Sequence, residues 1–269
     1  MSYTAIDQSA QGGDVVCLIK YTYGSTIVRH TTDGADYVAD DGTYLAVQGG
    51  IDCSDIESTE EKVRNNPTLK VSREYPIAEL FRVASPSYVV GVTIREVHRG
   101  DTDYVVRFKG RVTTSKWNGA LAELSLISLE ESGGADGLKM KCQRHCEANL
   151  FGDGCGLNPD DWDHSATVST IDGLTIVVSS VDGALNYAGG ELKWVSGGVT
   201  DSRMIETQSG TTLTLIRVPY GLAVSDTVTL YPGCDHTYTT CDTVFSNRLN
   251  YRGRPHLSTK NPMAGQSLF

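Results

Sequence analysis

The chain has 269 residues with 23 basic and 33 acidic side chains, a formal net charge of −10. A general nucleic-acid-binding surface calls for the opposite balance, and 39% hydrophobic content with 28 glycines and 8 prolines excludes a disordered chain. No apolar run approaches the roughly 18–20 residues of a membrane span. The opening MSYTAIDQSAQGGDV lacks the basic and apolar regions of a secretory signal, so folding in a reducing cytoplasm is expected.

Strand-type runs dominate in chain order. Val15–Tyr21, Ser25–His30, Tyr37–Ala39 and Thr43–Val47 come first, with Asp33-Gly34 and Asp41-Gly42 as turns. Thr68–Ser72 follows, and Pro76–Phe81 predicts one short helix with proline in its first turn. Tyr88–His98, Tyr104–Phe108, Arg111–Trp117 and Ala120–Ile127 read as a meander, with Asn118-Gly119 signalling a type I′ hairpin. These elements predict a β domain over 1–132. The glycine-rich SGGADG after it is read as a joint, and Leu138–Leu150 as a second helix. The chain then returns to strands at Thr175–Ser179, Glu191–Ser196, Ser202–Thr207, Thr212–Val218 and Thr227–Tyr231, enough for a small barrel or sandwich. The fold class is therefore mainly β. An inserted β module over 162–232 interrupts a discontinuous cysteine domain, 133–161 with 233–269.

Cysteines carry the chemistry. Cys142, Cys146 and Cys155 crowd into KCQRHCEANLFGDGCG, 78 residues then pass without one, and Cys234 and Cys241 follow in PGCDHTYTTC. Seven cysteines cannot all pair within the chain, and clustered thiols in a reducing compartment favour metal binding over disulfides. The spacings, C-x8-C and C-x6-C, are not the C-x2-C of zinc ribbons. Four thiolates from two distant segments suit Zn²⁺ or a [4Fe–4S] cluster, both soft acceptors bound tetrahedrally by sulfur. Buried free thiols acting as small hydrophobes are the alternative. Cys142 and Cys146 stand one helical turn apart, so periodicity does not choose between them.

CEANLFGDGCGLN, the later SDTVTLYPGC ending at Cys234, and CDTVFSN from Cys241 running into NYRGRP resemble one family of tail proteins. It comprises the baseplate hub, or tail-tip attachment, proteins of long non-contractile-tailed phages and gene transfer agents. Over 1–132 the resemblance rests on strand-rich layout alone. It implies an N-terminal β hub domain (barrel- or sandwich-like) and a C-terminal [4Fe–4S] domain, with ligands at Cys146, Cys155, Cys234 and Cys241; zinc is the alternative ion. Cys142 is additional to the family's four. The implied role is a virion structural protein assembled in the host cytoplasm, a homotrimeric ring in the tail tip. That ring joins the distal tail protein to the central fibre or receptor-binding protein and surrounds the DNA exit channel.

A catalytic metal centre needs an open coordination position and nearby acid–base groups. Four cysteines saturate a site, and no HExxH, paired-carboxylate or nucleophile motif accompanies them, so no enzyme is expected. The rival readings are a metal-dependent cell-wall hydrolase and a glycan- or receptor-binding module using Trp162, Tyr187 and Trp194 as stacking platforms. His145 and His236 read as neighbours of ligands rather than catalysts. Arg99-Gly100-Asp101 reads as a hairpin turn rather than an adhesion motif, and Asp160–His164 as a solvated acidic loop rather than a Ca²⁺ site. Cys17 and Cys53 read as packing residues.

Overall fold

A computed structural model describes residues 14–54, 66–101, 103–129 and 142–258. The chain divides into two compact units, 1–135 with 195–201, and 136–194 with 202–269. No helix among the described residues is long and apolar enough to cross a membrane.

The first unit is built on nine strands: β1 (Val15–Tyr23), β2 (Thr26–Thr31), β3 (Tyr37–Ala39), β4 (Gly42–Ala46), β5 (Ile51–Cys53), β6 (Thr68–Ser72), β7 (Gly91–His98), β8 (Tyr104–Asn118) and β9 (Leu121–Ser128). Their order in the sheet is β3-β4-β2-β1-β7-β8-β9-β6-β5. The predicted helix is present as α1 (Pro76–Leu80), which starts at a proline and buries Ile77 and Ala78. Alternation explains the core: on β9, Ala122, Leu124 and Leu126 are buried while Leu121 is exposed. These side chains join Ile19, Tyr21, Leu69, Val71, Tyr75 and Ile94 in one cluster. Each large apolar side chain buried there contributes about 1.5–3 kcal/mol.

Three local expectations change. Tyr104–Phe108 and Arg111–Trp117 are one 15-residue strand rather than two. Gly110, between the two expected strands, lies inside it. A Cβ at Gly110 would stand 2.0 Å from the Ile127 carbonyl oxygen and 2.7 Å from the Phe108 ring, so the glycine allows two backbones to approach. The β8–β9 hairpin is shifted by one residue, because Asn118 still pairs with Leu121. Gly119 alone takes a positive φ, +61°, the pattern of a type II′ turn with glycine first rather than type I′. The third change is β5, too short for alternation to reveal.

Six strands, in the second unit apart from residues 195–201, close a barrel: β10 (His164–Asp172), β11 (Thr175–Val178), β12 (Glu191–Ser196), β13 (Val199–Ser209), β14 (Thr212–Leu215) and β15 (Thr227–Tyr231). Their order around the barrel is β10-β11-β14-β13-β12-β15. Closure removes exposed sheet edges. It depends on β10, which the sequence reading did not foresee. Its first half pairs with β15 (His164 with Leu230, Thr167 with Thr227) and its second half with β11 (Asp172 with Thr175). HSATVSTID buries just Ala166 and Val168, so polar residues hide its strand character. Tyr187 and Trp194, proposed stacking platforms, are 0% and 2% exposed and fill the barrel core beside Leu192, Ile205 and Leu230. That removes two of the three aromatics on which the glycan-binding reading relied.

The predicted helix over 138–150 is also corrected. Residues 138–141 lie outside the described set, and 142–150 form bends and turns without a helix. Their backbone groups find partners in distant segments instead. The Cys146 N–H donates to the His236 carbonyl at 2.9 Å, and the Gln143 carbonyl accepts from the Arg254 N–H at 2.9 Å. Helical propensity lost to these tertiary hydrogen bonds.

Candidate metal centre

Three segments of the second unit assemble the site. The first, 142–158, is held by its own tight turn, in which the N–H groups of Cys155 and Gly156 both donate to the Gly152 carbonyl at 2.9 Å. Phe151 sits in the left-handed region at φ +62° within it.

The second follows β15 directly. The Asp235 carboxylate accepts hydrogen bonds from the Thr237 N–H, the Thr237 hydroxyl and the Thr240 hydroxyl, each at 2.9 Å. Burial pushes this carboxyl up, but these donors together hold it below the ordinary aspartate range. Thr237 caps the helix α2 (Tyr238–Thr243) by accepting the Thr240 N–H at 3.2 Å. A six-residue helix is marginal alone. Its cap and the buried Cys241 fix where the helix lies.

The third segment, 246–255, is laced over the first. Asn247 is buried, and its Nδ2 donates to the Cys155 carbonyl at 2.7 Å and approaches the Cys155 Sγ at 3.5 Å. The Tyr251 hydroxyl donates to the Arg144 carbonyl at 2.6 Å, and Arg252 Nε to the Gly154 carbonyl at 3.1 Å. At Gly253 a Cβ would stand 2.5 Å from the Arg144 carbonyl oxygen, so nothing larger than glycine fits without moving backbone. This gives a physical role to NYRGRP: it is a strap whose Tyr251 and Gly253 grip Arg144, before Cys146, while Arg252 grips Gly154, before Cys155.

Cys146, Cys155, Cys234 and Cys241 line one small, partly open cavity of about 20 Å³, with Leu150, Leu157, Phe245 and His236. Cys142 is exposed and is not among the lining residues. The Cys234 Sγ accepts the His236 N–H at 3.4 Å, in a residue held at φ +59°. Cys241 Sγ lies 3.4 Å from the Asn247 carbonyl. Burial pushes the Cys241 thiol up to about 11, and the neighbouring Cys146, Cys155 and Cys234 add to that through like-charge repulsion. Burial likewise raises Cys234, against the His236 N–H, with Asp235, Cys146 and Cys155 contributing in the same upward direction. Cys234 and Cys241 resist ionising beside the other two cysteines, and four such sulfurs are the donor type a soft cation would take as thiolates. The donor types, though not a preformed arrangement of them, suit a thiophilic centre: among the described residues no three or more His, Cys, Asp or Glu are grouped so as to hold a metal ion.

Other candidate residues are placed elsewhere. His145 is exposed; His236 lines the thiol cavity with its Nδ1 buried and unbonded. Arg99 is occupied by Asp14 at 3.1 Å and Asp33 at 2.9 Å, and Gly100 turns at φ +85°, so the tripeptide is a tied hairpin. Asp160 belongs to a 3-10 turn capped by Asn158, and Trp162 packs on Phe245 with ring centroids 4.9 Å apart. An open cleft of about 460 Å³ beside the thiols is lined by Phe151, Glu191, Met204, Tyr231, Cys234 and His236 among others. Sequence reading did not assign roles to Asp235, Asn247 or Gly253. Their only local signals were an aspartate before a threonine-rich helix start and two residues inside the quoted strings.

Residues 185–261 match the family described as phage conserved hypothetical protein BR0599. That stretch holds Cys234, Cys241 and the strap, but not Cys146 or Cys155. No curated protein matches the sequence. Among solved structures, a chain of the "virion of native gene transfer agent (GTA) particle" superposes with a TM-score of 0.77 at 19% identity, over 99% of this chain and 96% of that one. In fold, therefore, the whole chain is similar to a component of a gene transfer agent virion, and over residues 185–261 its sequence is similar to a conserved phage protein family.

Proposed function

We propose that the chain is a structural protein of a phage-like virion: a hub subunit of the tail tip, joining the distal tail ring to the central fibre or receptor-binding protein. The observation that carries this reading is the likeness in fold, which runs end to end with a virion chain rather than over one shared module. The phage family match over the strap and the second cysteine pair supports it from sequence. In this reading three copies form a ring around the DNA exit channel. The net charge of −10 suits such a conduit, since a basic wall would bind phosphates through counterion release. Mapping the charges onto an assembled ring tests this, and a basic bore would contradict it.

The thiol site is read as structural, with Cys146, Cys155, Cys234 and Cys241 holding a [4Fe–4S] cluster, and zinc as the alternative. A bound cluster would act as a four-way cross-link. The chain's own residues prepare the site: Asn247 and the His236 N–H approach thiol sulfurs as donors, Leu150, Leu157 and Phe245 exclude water, and Tyr251 and Gly253 close the strap. Tying Cys155 to Cys234 offsets the loop entropy of the 78 residues between them, which grows as (3/2)RT ln n. The test is a visible spectrum of protein purified without air. Broad absorption near roughly 400 nm with stoichiometric iron is expected; a colourless, zinc-containing protein replaces the cluster with zinc, and a metal-free, fully folded one removes the centre. Incorporation of the chain at the tail tip, seen by labelling intact particles, tests the hub role separately.

A further inference from the structure

Outside the metal centre, the first unit holds a second pair of thiols in contact. Strand β1 turns alternate residues to opposite sides. Val16 and Leu18 enter a small cluster with Tyr44 and Val97. Cys17, Ile19, Tyr21 and Tyr23 face the main core. On β5, Ile51 is buried in that same main core, and Cys53, two residues on, packs against it as well. In sheet order β5 is the terminal strand, and β7, β8, β9 and β6 separate it from β1. The sheet therefore curls around its core until the two rows meet, and a side-chain hydrogen bond joins the thiols of Cys17 and Cys53. No backbone ladder joins β1 to β5, so this side-chain contact spans a seam in the sheet.

We propose that Cys17 and Cys53 form a reversible disulfide across this seam, absent in reducing surroundings and formed by a small-molecule disulfide oxidant. The inference stands apart from the virion reading, since neither cysteine belongs to the thiol cavity. Both thiols are half-buried against the same core, and each is the other's side-chain partner. One of them, as its thiolate, attacks an oxidant R–S–S–R, forming a mixed disulfide and releasing R–S⁻. The other then loses its proton to solvent and attacks the protein sulfur of that mixed disulfide, expelling the second R–S⁻. Two protein thiols become one disulfide, and one R–S–S–R becomes two R–SH.

The full chain, incubated folded with oxidised glutathione, then acid-quenched, alkylated and peptide-mapped without reduction, decides the matter. A 17–53 linked peptide is expected, with the unfolding temperature of the oxidised protein raised by roughly 5–10 °C and returned by dithiothreitol. Either single variant, Cys17→Ser or Cys53→Ser, should give no linked peptide and should stop at a glutathione mixed disulfide on the remaining thiol. Free alkylation of both cysteines in oxidised, folded wild-type protein overturns the proposal, and that readout needs neither variant to fold.

Discussion

The barrel and the cysteine segments flanking it fold by different means. Thirteen buried apolar residues, from Ala166 to Leu230, fill the barrel. Between 142 and 163 and between 234 and 258 the buried side chains are Cys241, Phe245 and Asn247. The barrel also satisfies its backbone through strand ladders. The cysteine segments rely on side chain to carbonyl bonds such as Tyr251 to Arg144 and Asn247 to Cys155. A region with so little apolar burial does not recover its ordering entropy from the hydrophobic effect. It is held by polar straps, close glycine contacts and, in our reading, by ligation.

That contrast can be broken by substitution. Cys241→Ser or Cys146→Ser should have the largest effect: loss of all bound metal and unfolding of the straps while the barrel persists. Metal analysis with hydrogen exchange over 142–158 and 234–258 would show it; unchanged metal content and protection would defeat the idea. Leu230→Ala should destabilise the barrel by about 2–5 kcal/mol in denaturant melts, through lost burial and a residual cavity. Metal binding by the molecules still folded should be unaffected. Gly253→Ala forces a Cβ toward the Arg144 carbonyl and should cost about 1–3 kcal/mol, read as faster metal release to a chelator rather than as barrel unfolding. Thr237→Ala removes the cap of α2 and should cost about 1 kcal/mol, with Thr237→Ser restoring most of it.

Strands with clear alternation were legible to the residue. Tyr37–Ala39, Thr68–Ser72, Glu191–Ser196 and Thr227–Tyr231 lie where the pattern put them. Periodicity failed where side chains do not report the backbone. Polar β10 closes the barrel with two buried residues, and Gly110 continues a strand because its neighbours leave no room for a Cβ. The stretch up to Leu150 carried helix-forming residues but spends its backbone groups on distant carbonyls and amides, which no local pattern encodes. The thiols could be singled out from sequence because cysteines are sparse. The groups that surround them, Asp235, Asn247 and Gly253, are ordinary loop residues whose meaning appears once three separated segments are folded together.

The pairing of His164 with Leu230 means that the chain enters and leaves the barrel at neighbouring points. Opposed residues on antiparallel strands lie about 4.5–5.5 Å apart, a gap that a tight turn of two or three residues spans. The separation of the two stalks that lead to the sulfur cavity is therefore set by this one strand pairing and not by the length of chain in the barrel's far loops. A lineage could vary the loops of the barrel while leaving the cavity lined by the four cysteines untouched.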